Sequence, residues 1–351
     1  MIAPVRHILP LTTIRRERVL PVPGKITVRR GSKVGATDTV AEAKLNPEHL
    51  LMDVARGLRL SEEKADQAIQ CKPGEKVAEG DVLAGPVGMA KRVIRATKNG
   101  RVILTGGGQI LLEVENQPFE LKAAIPGTII ELVEGRGAIV EATGALIQGV
   151  WGNGRIDYGL MHVLASSPGE ILTPDRLDVS LRGSIVLAGY CNDVEILKAA
   201  SEMPLRGMIL ASIDIAIVSI AARMRIPVLV IEGFGKIPMN SSAYKLLTTN
   251  DQREVAVNAE QWNPFLGTRP EVFITLPSAG ELPLPPETVE FSEGQQVHIV
   301  RAPYTGKIGT IVEVRPGTTI LPNGLATQAA LVQVEGSESA LIPLANLEVL
   351  A

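Results

Sequence analysis

Aromatic residues are scarce: five Phe, four Tyr and two Trp in 351 residues. So few rings leave little on which successive bases of a single strand could stack. Cysteine is rarer still, with Cys71 and Cys191 alone and in separate segments. That excludes a disulfide framework and points to reduced thiols in a cytoplasmic setting. The four histidines, His7, His49, His162 and His298, are scattered without ligand spacing, so the sequence contains no zinc pattern and implies no metal or other cofactor. No nucleophile-elbow motif is present. Long uncharged apolar runs are missing as well. The most apolar stretch, 208–231, is interrupted by Asp214, Arg223 and Arg225, short of the roughly 18 residues that read as a membrane span. Residues 1–20 are broken by Pro4, Pro10, Arg15 and Arg16, which does not fit a signal peptide. Net charge is only −3, so the chain as a whole has no electrostatic pull toward nucleic acid or an anionic membrane.

What is present is an abundance of folding signal. The apolar fraction is 45% with 21% charged residues, and a chain of this length predicts two or three domains. Its centre reads as strand 184–189, helix 193–200, strand 207–211, helix 214–224 and strand 227–231. The three strands are almost continuous apolar runs, the pattern of parallel strands covered by helices on both faces. Open parallel sheets bind ligands beyond the carboxyl ends of their strands. Those ends carry Asn192, Asp193, Ser212, Asp214, Glu232, Gly233, Gly235 and Lys236. Two readings stand: Asn192, Asp193, Ser212 and Asp214 cap the helices that follow, or the carboxylates and Lys236 converge on a pocket.

Residues 1–35 hold eight Lys or Arg against Glu17 alone, a local charge of +7. They read as an extended arm, either solvated or turned toward an acidic partner or nucleic acid. Asn46-Pro47-Glu48 has the form of a helix start, with Leu50, Leu51, Val54 and Leu58 at helical spacing behind it. A second short helix is expected over 61–69, and His49 reads as structural. From Cys71 onward turn residues alternate with short β runs. The pairs 100–104 with 109–114, and 127–130 with 137–141, look like two hairpins of one small sandwich or barrel. The glycine runs at 105–108 and 151–154 do not feed a helix as a phosphate cradle requires, and Asn153-Gly154 predicts a tight hairpin turn. Between 262 and 290 Pro264, Pro270, Pro277, Pro283, Pro285 and Pro286 predict a stiff surface connector.

Three segments resemble known families. Val77, Gly80-Asp81, Leu83-Ala84, Ala96 and Gly100 with Val102 resemble the barrel-sandwich hybrid of biotinyl and lipoyl carriers. They are also similar to the related domain found in ion-translocating electron-transport complexes. Met89 stands where those carriers place the modified lysine, Lys91 is two residues on, and Thr97 replaces the usual proline. The resemblance therefore implies the fold without carrier chemistry. Residues 207–235, with Ala221-Ala222-Arg223 and then Ile226-Pro227-Val228, are similar to phosphohistidine swivelling domains. The histidine of that family has no counterpart among Ser212, Ile213, Asp214 and Ile215. Residues 294–314, around Gly306 and Gly309, resemble a KOW motif in an SH3-like barrel, with Ala302 where many members have glycine. That resemblance implies ribosome, RNA or polymerase binding. Residues 290–351, however, carry Arg301, Lys307 and Arg315 against six glutamates, the wrong sign for phosphate.

The expectation is a multidomain, mixed fold: a basic extended arm over 1–45, a barrel-sandwich-like β domain with two leading helices over 46–165, and a linker over 166–180. A swivel-like or Rossmann-like α/β domain with parallel strands follows over 181–260, then the proline-rich connector over 261–290 and a KOW/SH3-like barrel over 291–351. The function expected is that of a non-enzymatic cytoplasmic interaction or scaffold protein with a protein partner or self-association and no membrane contact. The alternatives are an enzyme or small-ligand-binding regulator using the strand-end pocket, and a transcription or translation accessory factor binding RNA or ribosome.

Overall fold

Strands apolar on both faces must be covered on both faces, and the centre of the chain meets that demand. In the computed structural model, which describes residues 2–45, 48–114, 118–263, 268–278, 280, 282–286 and 288–350, strands Ile185–Cys191, Gly207–Ile213 and Val228–Phe234 pair in parallel. Alternate residues feed two cores. Val186, Met208, Leu210, Val228 and Val230 pack with Ile196, Leu197 and Ala200 of helix Val194–Glu202. Ile185, Leu187, Ile209, Leu229 and Ile231 pack with Ala243 and Leu247 of helix Ser241–Thr248. Asp193 and Asn240 cap those helices by accepting from the Glu195 and Ala243 backbone N–H groups. The helix expected over 214–224 is shorter, a 3-10 turn at Ile215–Ile217 running into Val218–Ala221.

The fold is mostly β-sheet, 46% strand against 13% helix, and the chain divides into two compact units. One comprises Met1–Val19, Thr27–Val40 and Lys122–Ala351; the other comprises Leu20–Ile26 and Ala41–Leu121.

In the larger unit the parallel strands belong to an eleven-stranded mixed sheet. Strand Ile156–Val163 joins them in parallel and continues antiparallel through Glu254–Asn258, Glu271–Thr275 and Gly137–Gln148. The long strand Ile8–Val19 runs antiparallel along Gly137–Gln148. A six-stranded sheet is built from the last part of the chain, with strand Val5–Arg6 at its edge, parallel to Leu347–Leu350. Its core is Val297, Ile299, Ile311, Val332, Val334, Leu347 and Val349.

The smaller unit has a four-stranded sheet in the order His49–Asp53, Gln109–Val114, Gly100–Gly106, Lys76–Val77. Beside it lies the pair Val82–Val87 and Arg92–Arg95. Val54, Leu58, Ala65, Leu83, Val102, Ile110 and Leu112 form its core. Lys91, with φ +46°, sits in the exposed turn of that pair beside Met89.

Several expectations are corrected. Residues 1–45 are not a free arm, because Ile8–Val19 is a sheet strand and Arg6 and Arg18 are buried. Asn46 and Pro47 of the expected helix start lie outside the described residues. The stretch His49–Asp53 is a strand with Leu50 and Met52 turned to the core, and the helix begins only at Val54, capped by Asp53. The two hairpins do not share one sandwich over 46–165. Gly100–Gly106 with Gln109–Val114 falls in the smaller unit, and Gly127–Val133 with Gly137–Gln148 in the larger. Asn153-Gly154 bends the chain but does not form a hairpin. Trp151–Gly152 pairs with Val228–Phe234, whereas Ile156–Val163 pairs with Ile185–Cys191 and Glu254–Asn258. Pro264 of the connector lies outside the described residues, and Glu271–Thr275 within the connector is an internal strand whose first four residues are buried.

Close packing of that strand depends on Gly144, where a Cβ would stand 2.0 Å from the Ile274 carbonyl oxygen and 2.9 Å from the Phe273 ring. Gly144→Ala is expected to destabilise the chain by about 1–3 kcal/mol as the strands are forced apart. Gly169→Ala, whose Cβ would meet nothing nearer than Pro238 at 3.5 Å, serves as the neutral control in urea unfolding.

Candidate ligand-binding site

Strand alternation places one face of the six-stranded sheet against the end of the parallel strands. Val297 and Ile299 point into the sheet's own core, so His298 between them faces the other way. The same holds for Glu348 between Leu347 and Val349. Both meet Arg6, which is completely buried. Its Nε donates to the Gln148 carbonyl at 3.0 Å, Nη2 to the Ile231 carbonyl, and Nη1 to Glu232 Oε2 at 3.3 Å. His298 Nδ1 lies 3.5 Å from Nη1, and Glu348 Oε2 3.9 Å from it. Glu348 is held from its other side by Arg269 at 2.7 Å.

Glu232 is the carboxylate of this network. Oε1 accepts from the backbone N–H and the side-chain amide of Asn240, at 2.9 and 2.6 Å. Burial by itself would raise its pKa, but the Arg6 charge, His298 and the Asn240 N–H outweigh burial and hold it at about 2. Glu232 is therefore a fixed anion. His298 Nε2 stands 3.0 Å from Glu232 Oε2 but out of line for a hydrogen bond, and it has no other partner among the described residues.

Beside this network opens a cavity of about 440 Å³, within the range of small-molecule sites, although the Glu232 side chain itself is fully buried. Glu232 and His298 line it together with Val150, Phe234, Ile237 and Val300. Arg301, Ala302, Thr305 and Gly306 line it from the loop that follows strand Gln296–Ile299. Phe234 is held by an edge-on contact with Trp151, ring centroids 6.4 Å apart. Gly233 and Gly235 take φ values of +141° and +92°, conformations open to glycine, and turn the chain from the strand toward Ile237. Ser212 Oγ then pins that segment, donating to the Ile237 carbonyl at 2.8 Å and accepting its N–H at 3.2 Å.

Of the residues the sequence put at the strand ends, Glu232 and Gly233 line the cavity, while Ser212 and Gly235 shape its wall. Asp193 is a helix cap, and Asn192 and Lys236 are exposed away from the cavity lining. Asp214 accepts from the Ala216 N–H and then the Tyr190 hydroxyl, and these bonds hold its carboxyl below the usual range. Cys191 is buried, and burial pushes its thiol up to about 12. Arg6, His298, Glu348 and Arg269 escaped the sequence reading. A polar residue between two inward apolar ones has the same signature whether it meets water or another sheet.

Three of the seven remaining basic residues of the N-terminal segment are paired inside the larger unit. Arg15 pairs with Glu141, Arg16 with Glu271, and Arg18 with Glu260 at 2.6 Å. Among the described residues no cluster of His, Cys, Asp and Glu is arranged to hold a metal ion, and no helix is long and apolar enough to cross a membrane. No protein-family model matches the chain, and no curated protein matches it.

Arg6→Met leaves two buried carboxylates without their shared cation. It is expected to lower stability by about 3–5 kcal/mol in denaturant unfolding. Acid acts in two windows. His7 is buried with Nδ1 unpartnered, and burial, then the Arg16 charge, lower its pKa from 6.5 to about 4. Glu232 falls from 4.5 to about 2. Both folded-state values are depressed, so the stability they contribute is full above the unfolded values and is lost as pH falls. Urea midpoints should drop between pH 6.5 and 4 and again toward 2. His7→Gln should remove the first decline and keep the second.

Proposed function

We propose that this chain is a non-enzymatic, small-ligand-binding regulator of the cytoplasm whose ligand occupies the cavity at the carboxyl end of strand Val228–Phe234. The observation that carries this reading is a preformed cavity walled by Phe234, Ile237 and Val300, with an exposed Arg301 on its lining that has no hydrogen bond or ion pair among the described residues.

The non-enzymatic part of the reading rests on how the reactive side chains are spent. Asp193 and Asp214 cap helices, Cys191 is a buried high-pKa thiol, and Glu232 is locked to Arg6 and Asn240. Binding of RNA is disfavoured by the carboxylate partners of Arg6, Arg15, Arg16 and Arg18. The cytoplasmic setting is supported by two buried, unbridged cysteines. A swivel-like or Rossmann-like middle, a KOW-type SH3-like end and a barrel-sandwich-like unit over Ala41–Leu121 belong to the same proposal. Support for them comes from the parallel strand order, the antiparallel order of the six-stranded sheet and the turn-rich β pattern after Cys71. A regulator of this kind passes occupancy on to a protein partner or a second copy.

Thermal-shift screening of the full chain against chemically diverse metabolites should give hits that raise Tm. A ligand at 100 times its Kd adds about 2.7 kcal/mol. Thr305→Trp, an exposed position on the cavity lining, should abolish those shifts. A screen in which Thr305→Trp removes no hit counts against the reading.

A further inference from the structure

We infer that strand His49–Asp53 of the smaller unit is a self-association edge: two copies of this chain pair antiparallel along it, about a two-fold axis at Leu51, and join their four-stranded sheets into one of eight. This goes beyond the cavity reading and does not depend on it. Three observations carry the inference. First, the edge is open. His49–Asp53 is the terminal strand of its sheet, and among the described residues it pairs only with Gln109–Val114. At its two ends the Val114 N–H donates to the Glu48 carbonyl and the Val54 N–H to the Gly108 carbonyl. By alternation Leu50 and Met52 also turn their backbone groups toward that neighbour, whereas His49, Leu51 and Asp53 turn theirs outward. A row of unpaired N–H and C=O groups is a template for another strand.

Second, this edge is not blunted as others in the chain are. The eleven-stranded sheet ends in the two-residue strands Lys33–Val34 and Trp151–Gly152, Ile8–Val19 carries Pro10 and three arginines, and Ser339–Pro343 ends in proline. Short length, charge and proline are the usual devices against edge pairing. His49–Asp53 has five residues without proline or lysine, and its central Leu51 is 63% exposed. Third, the strand is complementary to itself. Antiparallel pairing centred on Leu51 sets it against the partner's Leu51, and His49 against the partner's Asp53. Asp53 Oδ1 accepts from the Arg56 N–H at 2.8 Å, which leaves Oδ2 for the imidazole. The neighbouring strands extend both rows: Leu104, Leu111 and Leu51 stand side by side on the outer face, as do Arg101, Glu113 and His49. Across the axis the first row becomes six leucines. The second runs Arg101, Glu113, His49 and then Asp53 of the partner subunit, with a donor beside each carboxylate. Opposite charges and apolar pairs across strands stabilise a sheet, and like charges weaken it. Parallel pairing in register would instead set Asp53 beside the partner's Asp53.

An edge of five residues falls short of the roughly 1,000 Å² that stable interfaces bury, so the dimer is reversible. Sedimentation equilibrium on the full chain, from about 1 to about 200 µM, should show monomer passing into dimer. Leu51→Lys should leave monomer throughout, with the thermal unfolding of the unaltered chain. His49→Asp should weaken the dimer by about 10-fold, and His49→Lys should preserve it. A nitroxide on Leu104→Cys reads the register without touching the edge, since Cys71 and Cys191 are buried and escape labelling. Five strand spacings separate the two copies of that position, so electron–electron distances should centre on a Cα separation of about 24 Å. A chain that stays monomeric at the highest concentration overturns the inference. So does a dimer that survives Leu51→Lys, because it is then built on another surface. If Leu51→Lys dissolves the dimer while His49→Asp leaves it intact and the nitroxide distance departs from that spacing, the leucine face packs in some other way and the edge pairing is wrong. Should Leu51→Lys fail to fold, His49→Asp and the nitroxide distance decide the matter by themselves.

Discussion

A buried guanidinium organises the larger unit. Arg6 sits where the eleven-stranded sheet and the six-stranded sheet meet, and its donors reach Gln148, Ile231 and Glu232 on one and approach His298 and Glu348 on the other. Two charges of each sign, Arg6 and Arg269 against Glu232 and Glu348, share this space. Desolvating such groups is costly, and only directed partners offset it. The relative placement of the two sheets is thus specified by hydrogen-bond direction, which apolar contact alone would leave loose.

The cavity follows from that arrangement. Gly233 near the end of strand Val228–Phe234 and Gly235 just after it carry the chain away, leaving a cavity beside the fully buried Glu232. The loop after Gln296–Ile299 supplies the opposite wall. Rigid elements hold the floor, through the Asn240 cap and the Ser212 clasp, while the mouth is formed by exposed loop residues.

The parallel strands were legible in the sequence because burial on both faces leaves a period-free apolar run, and the two cores on either side explain why. Glu232 and Gly233 could be placed near a site by strand-end position alone. The junction could not. His298 and Glu348 follow the alternation expected of solvent-facing residues, and only the tertiary position of their sheet turns that face inward. Arg6 looked like one charge of a basic arm because its carboxylate partners lie more than two hundred residues further along the chain. Strand Glu271–Thr275 was hidden by the prolines that bracket it, although its Val-Phe-Ile run was the sign of burial. Helical spacing misled at Leu50 and Leu51, which lie in a strand that passes directly into the helix at the Asp53 cap.

Strand Val5–Arg6 lies parallel to Leu347–Leu350, and this pairing has a temporal meaning. During synthesis Arg6 leaves the ribosome long before Glu348 exists, so its guanidinium must wait in water while the intervening sheets assemble. Closing so large a loop adds little to the equilibrium cost because loop entropy grows only logarithmically, but contacts distant in sequence slow the search. The Arg6 junction is accordingly among the last parts of the larger unit to mature, since it waits for Glu348 to be made.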